Sequence, residues 1–219
     1  MTIRQEYRKF LNDNFKGLII RQPLFYNWDY GLRFDLQVGE TNTDEYFKEV
    51  QRRSIDLFHS VFYPNDNLFF ILMDYKYGRR KIRFTNFAFR QISNLQIDEV
   101  FYTVNKRLYE PSDKFDIYNS AIIKLSANRL GINNILSAIG NADFPPRQPR
   151  LDGYGFSTNK QIYLINIDRR IIFNMYDDRG LDIISSDLET IQPIYQKYNN
   201  WILDCDRERI DKIMNKNGL

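Results

Sequence analysis

The densest group of ionisable side chains in the sequence is the turn Asp177–Gly180, which lies between two apolar segments. Asp177, Asp178 and Asp182 supply carboxylates at this point, and Arg179 supplies a cation. Hard divalent cations bind carboxylate oxygens, and an arginine can pair with the oxygens of a phosphate ester. These residue types therefore permit a metal-dependent phosphoesterase or nuclease, a reaction that needs further acidic groups from other strands.

The same turn has a simpler structural interpretation, which we favour. Asp and Gly are common turn formers, since Asp side chains bond to nearby backbone amides and Gly adopts positive φ. More acidic residues follow in the segment Trp201–Arg207, WILDCDR. We expect Arg179 to pair with Asp204 or Asp206 and so to tie the last hairpin to the terminal helix. The predicted structural clasp, which binds no metal, comprises Asp177, Asp178, Arg179, Asp204 and Asp206.

Neither the single histidine nor the single cysteine favours catalysis. His59 lies in apolar surroundings within a predicted helix, where a surface or partly buried imidazole is more common than a catalytic one. Cys205 lies between two aspartates, whose charge raises the pKa of a thiol and suppresses the nucleophilic thiolate. Most acyl-transfer and zinc chemistry is thereby disfavoured. No phosphate-binding loop is present either, and we expect no cofactor.

The segment 76–90, KYGRRKIRFTNFAFR, is the strongest electrostatic feature of the chain because it is basic throughout and contains no acidic residue. Aromatic side chains alternate with its charges. Three interpretations stay open. The segment can be the solvated face of a hairpin, a nucleic-acid site that grips phosphates and stacks bases, or a docking surface for an acidic protein. The candidate binding residues are Arg79, Arg80, Lys81 and Arg83.

Aromatic residues gather around Trp28, near the tip of a predicted hairpin that also contains Phe25, Tyr26 and Tyr30. Exposed aromatic side chains are frequent anchors for a protein partner. Buried ones belong to the core, which is the more common fate of large aromatic residues. We retain Trp28 and Tyr30 as candidate binding anchors.

Hydrophobic periodicity divides the chain into helices and strands that must position these residues. Helices are expected over residues 2–16, from Thr43 to about residue 61, over 132–139, from Ser186, and over 206–214. Strands are expected over residues 18–26, 32–38, 68–75, 82–89, 100–108, 117–126, 161–167, 171–176 and 181–184. The first two strands should form a hairpin, as should 68–75 with 82–89. The fold class is therefore α+β, with a mixed, mainly antiparallel sheet, flanking helices and a C-terminal β-meander followed by helices.

Length and composition indicate a soluble globular protein. A chain of 219 residues can bury a sizeable core, and we expect a single α+β domain over residues 1–219, with a possible subdomain boundary in the Pro-rich segment 144–155. The net charge of +3 does not by itself argue for nucleic-acid binding. The single cysteine, the absence of a signal peptide and the shortness of every apolar run predict a cytoplasmic protein without membrane contact.

The C-terminal third resembles a bacterial family of domains of unknown function. The resemblance is carried by the turn Tyr176–Gly180, the run Trp201–Asp204 and the closing pair Asp206 and Arg207, with weaker similarity around LRFDLQ upstream. Such a resemblance implies no catalytic residues. Some small bacterial families of this kind serve as immunity proteins beside secreted or contact-dependent toxins, and this role is what the resemblance suggests by analogy.

These observations together predict a protein-binding module. The expected partner is another protein, most specifically a cognate toxin that the chain neutralises by steric occlusion. The basic segment would match the charge of the partner, and the aromatic anchors would add short-range energy. The alternatives are a metal-dependent phosphoesterase or nuclease that uses the turn carboxylates, and nucleic-acid binding through residues 76–90.

Overall fold

A computed structural model of the chain describes residues 1–76, 81–152 and 159–215. A seven-stranded sheet with strand order β1-β7-β6-β5-β2-β4-β3 lies at its centre, and all of its ladders are antiparallel. The strands are β1 (Gly31–Asp35), β2 (Asn67–Tyr75), β3 (Val100–Lys106), β4 (Ile117–Ser126), β5 (Lys160–Asn166), β6 (Ile171–Met175) and β7 (Gly180–Ser185). The α+β class is confirmed, as is the C-terminal meander of β5, β6 and β7.

Six α-helices and four short 3-10 turns accompany this sheet in the described residues. They are α1 (Ile3–Asn14), α2 (Asp44–Val61), α3 (Phe87–Arg90), α4 (Ile132–Gly140), α5 (Leu188–Lys197) and α6 (Asp204–Met214). Thr43 caps α2 as predicted, because its side chain accepts a hydrogen bond from the backbone N–H of Tyr46. No helix in the described ranges is both long enough and apolar enough to cross a membrane.

The predicted pairing of residues 82–89 with β2 is wrong. Strand β2 already has a neighbour on each side, since β4 and β5 hydrogen-bond to its two edges. Its apolar run is buried on both faces, as a central strand requires. Residues 81–86 instead lead into the short helix α3, which buries Ala88 and Phe89. The predicted turn at residues 77–80 lies outside the described residues.

The predicted strand over residues 18–26 is also wrong. Strand β1 pairs with β7, so the expected hairpin does not form. The chain before β1 runs across one face of the sheet and ends in a single helical turn at Phe25–Asn27. Its side chains Ile20 and Leu24 are buried there and Phe25 is buried in the core of the other face, which explains why the segment looked like a strand by hydrophobicity.

The sheet separates two apolar cores. Helices α2, α4, α5 and α6 cover one face, which we call the helical face, where Phe70, Leu72 and Phe173 are buried. Helix α1 and the segment after it cover the opposite face, where Phe69, Ile71 and Tyr163 are buried. Strands from both sides of residues 144–155 contribute to this one sheet, and β2 and β5 are neighbours in it. Side chains that alternate along each strand therefore point into different cores.

Candidate functional site

The turn between β6 and β7 contains an ion pair of its own. The guanidinium of Arg179 pairs with the carboxylate of Asp177, and the backbone N–H of Arg179 donates to the same side chain at 2.8 Å. The Arg179 side chain is 63% exposed. Charge from Asp177 raises the pKa of Arg179, first through the hydrogen bond and then through Coulomb attraction. An exposed pair within one turn orders the loop locally and contributes little to stability.

The residue after Arg179 is Gly180, and the surrounding atoms leave no room there for a side chain. A Cβ atom there would overlap the hydroxyl and ring of Tyr176 and would lie 2.9 Å from the backbone oxygen of Phe34. We predicted that Gly180 would serve by adopting positive φ. The positive-φ glycines of the described residues are instead Gly17 and Gly39, so close approach is what requires glycine at this turn.

Asp178 points towards the helical face. Its carboxylate accepts a hydrogen bond of 2.5 Å from the hydroxyl of Tyr46 on α2. Burial raises the pKa of Asp178, although this hydrogen bond acts in the opposite direction. The amide of Gln37 donates to the same tyrosine oxygen at 3.1 Å. Asp178 therefore ties the turn to α2.

Asp182 lies on the opposite face and is fully buried. One oxygen accepts from Nε of Arg33 at 2.9 Å, and the other accepts from the backbone N–H of Phe25 at 3.0 Å. Burial raises the pKa of Asp182 to about 6, even though Arg33 and the hydrogen bonds favour the charged form. Arg33 also reaches Asp206 on α6 at 3.8 Å. The hydroxyl of Tyr26 donates to Asp206 at 2.8 Å.

The clasp between the last hairpin and the terminal helix thus uses a different arginine from the predicted one. Arg179 pairs with Asp177, whereas Arg33 on β1 connects Asp182 of β7 to Asp206 of α6. Asp204 is 98% exposed, and its ion-pair partner among the described residues is Arg207 of the same helix, at 3.5 Å. The register of β1 and β7, which sets Arg33 opposite Asp182, explains this choice, and it cannot be read from the sequence alone.

Three carboxylates in the described residues lie close enough to share a cation, but they are not the predicted three. Asp143, Asp177 and Asp178 have oxygens within 4.8 Å of one another. Asp182 is directed to the other face of the sheet. Asp177 also accepts a hydrogen bond from Arg179, and Asp178 accepts one from Tyr46. Carboxylates with a structural role make hydrogen bonds of this kind.

A cleft of about 1020 Å³ opens on the helical face beside the ends of β2 and β5. We call it the basic cleft, because five basic and two acidic side chains line it. Lys81, Arg83 and Arg90 lie at its rim and are exposed. In the described parts of the chain none of the three has a carboxylate within ion-pair distance. The rim therefore carries positive charge that the described residues leave uncompensated.

The floor of the basic cleft is a buried ionic network. Lys160 pairs with Asp152 and lies 3.7 Å from Asp74, and the side chains of Lys160 and Asp74 are almost fully buried. Arg150 is 5% exposed and donates to the backbone oxygen of Ala142 at 2.6 Å. Such a network holds its members in fixed positions because each charge out of water needs a partner.

The basic cleft contains part of the predicted binding set. Lys81 and Arg83 line it, whereas Arg79 and Arg80 lie outside the described residues. Sequence reasoning missed Arg150 and Lys160 as members of the site. Arg150 belongs to the Pro-rich segment and Lys160 begins β5, so only the tertiary fold brings them to the basic segment.

The aromatic anchors have internal roles. Trp28 packs against Phe15, with ring centres 5.3 Å apart, and its indole N–H donates to the backbone oxygen of Ser185 at 2.6 Å. Tyr30 is 38% exposed. The backbone oxygen of Tyr30 accepts from the N–H of Ser185 at 2.9 Å. A binding role for either residue stays a prediction, and both help to hold the segment before β1 against β7.

His59 and Cys205 lie apart from the basic cleft. His59 is exposed on α2. Cys205 is exposed on α6, and desolvation followed by the charge of Asp206 raises the pKa of its thiol. The direction agrees with the sequence argument, and a raised thiol pKa disfavours a nucleophile at neutral pH.

Comparison with known proteins identifies the family but not an activity. The chain is 24% identical over 212 residues to Uncharacterized protein YnaE of Bacillus subtilis (strain 168), a match that covers 88% of this chain and 95% of that protein. A second match, to the mitochondrial DNA topoisomerase 2 of Dictyostelium discoideum, is 28% identical over 123 residues. It covers 55% of this chain and 9% of that protein.

The second match covers too small a part of the topoisomerase to carry over its activity. No solved structure matches the chain significantly. Residues 7–206 match the family described as Domain of unknown function (DUF3885). This match spans nearly the whole of the described fold and agrees with the family resemblance of the C-terminal third. The chain belongs to the DUF3885 family.

Proposed function

We propose that this chain is a cytoplasmic protein-binding module that receives an acidic segment of another protein in the basic cleft. The observation that carries the proposal is the positive charge of Lys81, Arg83 and Arg90 at the rim of one large cleft, which no described residue compensates by an ion pair. Exposed cations of this kind steer an oppositely charged partner and set its orientation. They cost the free protein little, since each side chain is hydrated until the partner arrives.

The floor of the basic cleft supports the same role. The ion pairs of Lys160 place a cation at fixed depth, and Arg150 lies beside it without freedom to turn away. A partner carboxylate that reaches the floor would replace water in a partly enclosed site, where a charged hydrogen bond is stronger than at the surface. Side chains of Phe87 and Leu151 at the cleft add apolar contact area.

The kind of partner that we propose is a toxin, which the chain neutralises by covering its active surface. A toxin that acts on nucleic acid or nucleotides needs a site of its own for polyanions, and an acidic cover would then be expected on the immunity protein. The basic cleft therefore fits a toxin whose exposed surface is acidic. The analogy with small bacterial immunity families supports this role and remains an analogy.

The metal-dependent phosphoesterase has less support. Asp143, Asp177 and Asp178 form a carboxylate group, but Arg179 and Tyr46 already occupy two of them. Nucleic-acid binding shares the rim cations with our proposal. It has fewer supporting features, because Phe87 is the one aromatic side chain among the described residues of the cleft on which a base could stack.

The test is a tagged pull-down from native lysate with matched charge variants. Arg83→Glu with Arg90→Glu should abolish recovery of a stoichiometric protein, because it reverses the rim charge. Arg8→Glu with Lys16→Glu makes the same charge change at exposed sites on and after α1, and recovery should persist. A toxin encoded beside this gene should be the recovered protein, and its activity should fall when the chain is added.

The rivals predict other outcomes. A single-stranded oligonucleotide that binds with steep salt dependence, in the absence of any protein partner, would support nucleic-acid binding. Hydrolysis of a phosphodiester with Mg²⁺ or Mn²⁺ that Asp178→Asn abolishes, at unchanged stability, would support the phosphoesterase. Equal protein recovery by both double charge variants would overturn our proposal.

A further inference from the structure

The two edges of the sheet differ in whether other parts of the chain hydrogen-bond to them. At the β1 edge, Phe34 forms a β-bridge with Ile202, and the N–H of Leu203 donates to the backbone oxygen of Arg33 at 2.9 Å. At the β3 edge, β4 is the only described strand that hydrogen-bonds to β3. Half of the backbone groups of β3 thus face outwards, and an unprotected edge of this kind readily accepts another strand.

The edge strand β3 also exposes large apolar side chains. Tyr102 and Val104 are each 44% exposed on the helical face, where they border an apolar hollow of about 540 Å³. Strand β3 contains no proline, and its one lysine is at its end. Natural edge strands are usually blunted by such residues near their centre. The edge is therefore built for pairing.

We propose that a second copy of this chain pairs with β3 in antiparallel fashion, which joins the two sheets into one. A twofold axis perpendicular to the sheet must lie midway between the two copies of one residue, because directly opposite residues share a face of the sheet. With the axis at Tyr102, the two copies of that ring are neighbours and Val100 lies opposite Val104 of the second copy. Cross-strand apolar and aromatic pairs of this kind stabilise sheets.

The charges at the ends of β3 are complementary in the same register. Asp98 lies in the 3-10 turn Ile97–Glu99 directly before the strand, Lys106 ends the strand, and both are exposed. In the described residues neither of them has an ion-pair partner. The Tyr102 axis brings the strand end at Lys106 of each copy beside the turn that holds Asp98 of the other, where the long lysine side chain can reach the carboxylate. An axis at Thr103 would instead set Val100 against Lys106, so charge and apolar pairing both favour Tyr102.

This surface differs from the face of the basic cleft that we propose for the acidic partner. Pairing uses the outer edge of β3, whereas Arg83 and Arg90 line the basic cleft and not the hollow beside β3, although Lys81 and Ile82 line both. A pair of chains would present two basic clefts. The failure of either proposal leaves the other standing.

The test is sedimentation equilibrium of the full chain over a concentration series, with charge-reversal variants. The wild type should dimerise reversibly. Asp98→Lys and Lys106→Asp should each weaken dimerisation roughly tenfold, because each turns two attractive pairs into two repulsive ones. The double variant Asp98→Lys with Lys106→Asp should restore it. Circular dichroism checks that every variant is folded.

Disulfide trapping tests the register. In a Cys205→Ser background, Tyr102→Cys should form a covalent dimer on mild oxidation and Thr103→Cys should not. A chain that stays monomeric at every concentration would overturn the proposal. So would dimerisation that neither charge reversal weakens, or cross-linking through Thr103→Cys alone, or a strand of another protein as the only occupant of this edge.

Discussion

The guanidinium of Arg33 lies between the carboxylates of Asp182 and Asp206 and over the rings of Tyr26 and Tyr176. It therefore connects β1, β7 and α6 with one nearly buried side chain. Arg179 is as basic but pairs only within its own turn and remains exposed. The two arginines should therefore contribute very differently to the stability of the fold, because Arg33 is nearly buried and Arg179 is exposed.

Arg33→Met should destabilise the protein by about 3 kcal/mol, because it leaves the buried Asp182 carboxylate without its cation. Arg179→Met should cost less than about 1 kcal/mol, since exposed pairs contribute little. Urea unfolding followed by circular dichroism measures both. Equal losses for the two variants, or a larger loss for Arg179→Met, would contradict the corrected clasp.

The buried carboxylate of Asp182 should make stability depend on pH. Its folded pKa of about 6 lies above the ordinary 3.8, so the folded state binds the proton more tightly. The contribution of this group to stability is therefore largest at low pH and falls as pH rises through the range from about 4 to 6.

Between pH 7 and pH 4, the wild type should gain up to roughly 3 kcal/mol relative to Asp182→Asn, which has no proton to bind. Urea unfolding of both proteins at several pH values gives the difference. Carboxylates with lowered pKa, such as Glu49 at about 2, act in the opposite direction in both proteins and cancel. A difference that does not vary with pH would contradict the assignment.

At the scale of elements, the turn between β6 and β7 is shaped by Tyr176, which packs over Gly180 where β7 begins. Gly180→Ala should cost about 1–3 kcal/mol, because the added methyl group meets the tyrosine ring and the backbone of β1. Gly140→Ala is the matched control, since its Cβ would meet neighbours only at 3.4 Å and beyond. Thermal unfolding compares the two, and an equal effect would show that space at Gly180 is not limiting.

Amphipathic and capping signals made most elements predictable. Thr43, the alternation of apolar and polar residues over 32–38 and the three closely spaced C-terminal strands each carry local information about their own conformation. Residues 18–26 and 82–89 misled the prediction for one physical reason. Their apolar side chains are buried as a strand's would be, but the strands that they were expected to join pair with other neighbours, β1 with β7 and β2 with β4 and β5.

The candidate site was predictable only in part for the same reason. Lys81 and Arg83 belong to a basic run that is visible in the sequence. Arg150, Lys160 and Asp74 come from three other segments, and only the pairing of β2 with β5 brings them together. Which arginine pairs with Asp206 depends on the register of β1 and β7, which places Arg33 there and not Arg179. Long-range register is not encoded in any short stretch of residues.

At the scale of the whole molecule, a net charge of +3 conceals an uneven distribution. The acidic residues of the described chain are largely engaged by internal partners, as Asp177, Asp178 and Asp182 show. The rim of the basic cleft brings together three cations, Lys81, Arg83 and Arg90, that have no such partner in the described residues. A partner with an acidic segment would complete that charge pattern, which is the central claim for this chain.

Site-specific photo-cross-linking tests that claim most directly. A photoreactive amino acid is placed at Thr85, an exposed residue that lines the basic cleft, and at Thr41, an exposed residue outside it, and the proteins are irradiated in native lysate. We expect the residue at Thr85, but not the one at Thr41, to capture one protein, and we expect the cross-linked peptide to be acidic. Capture at Thr41 alone, capture of nucleic acid at Thr85, or no specific capture at Thr85 would contradict it.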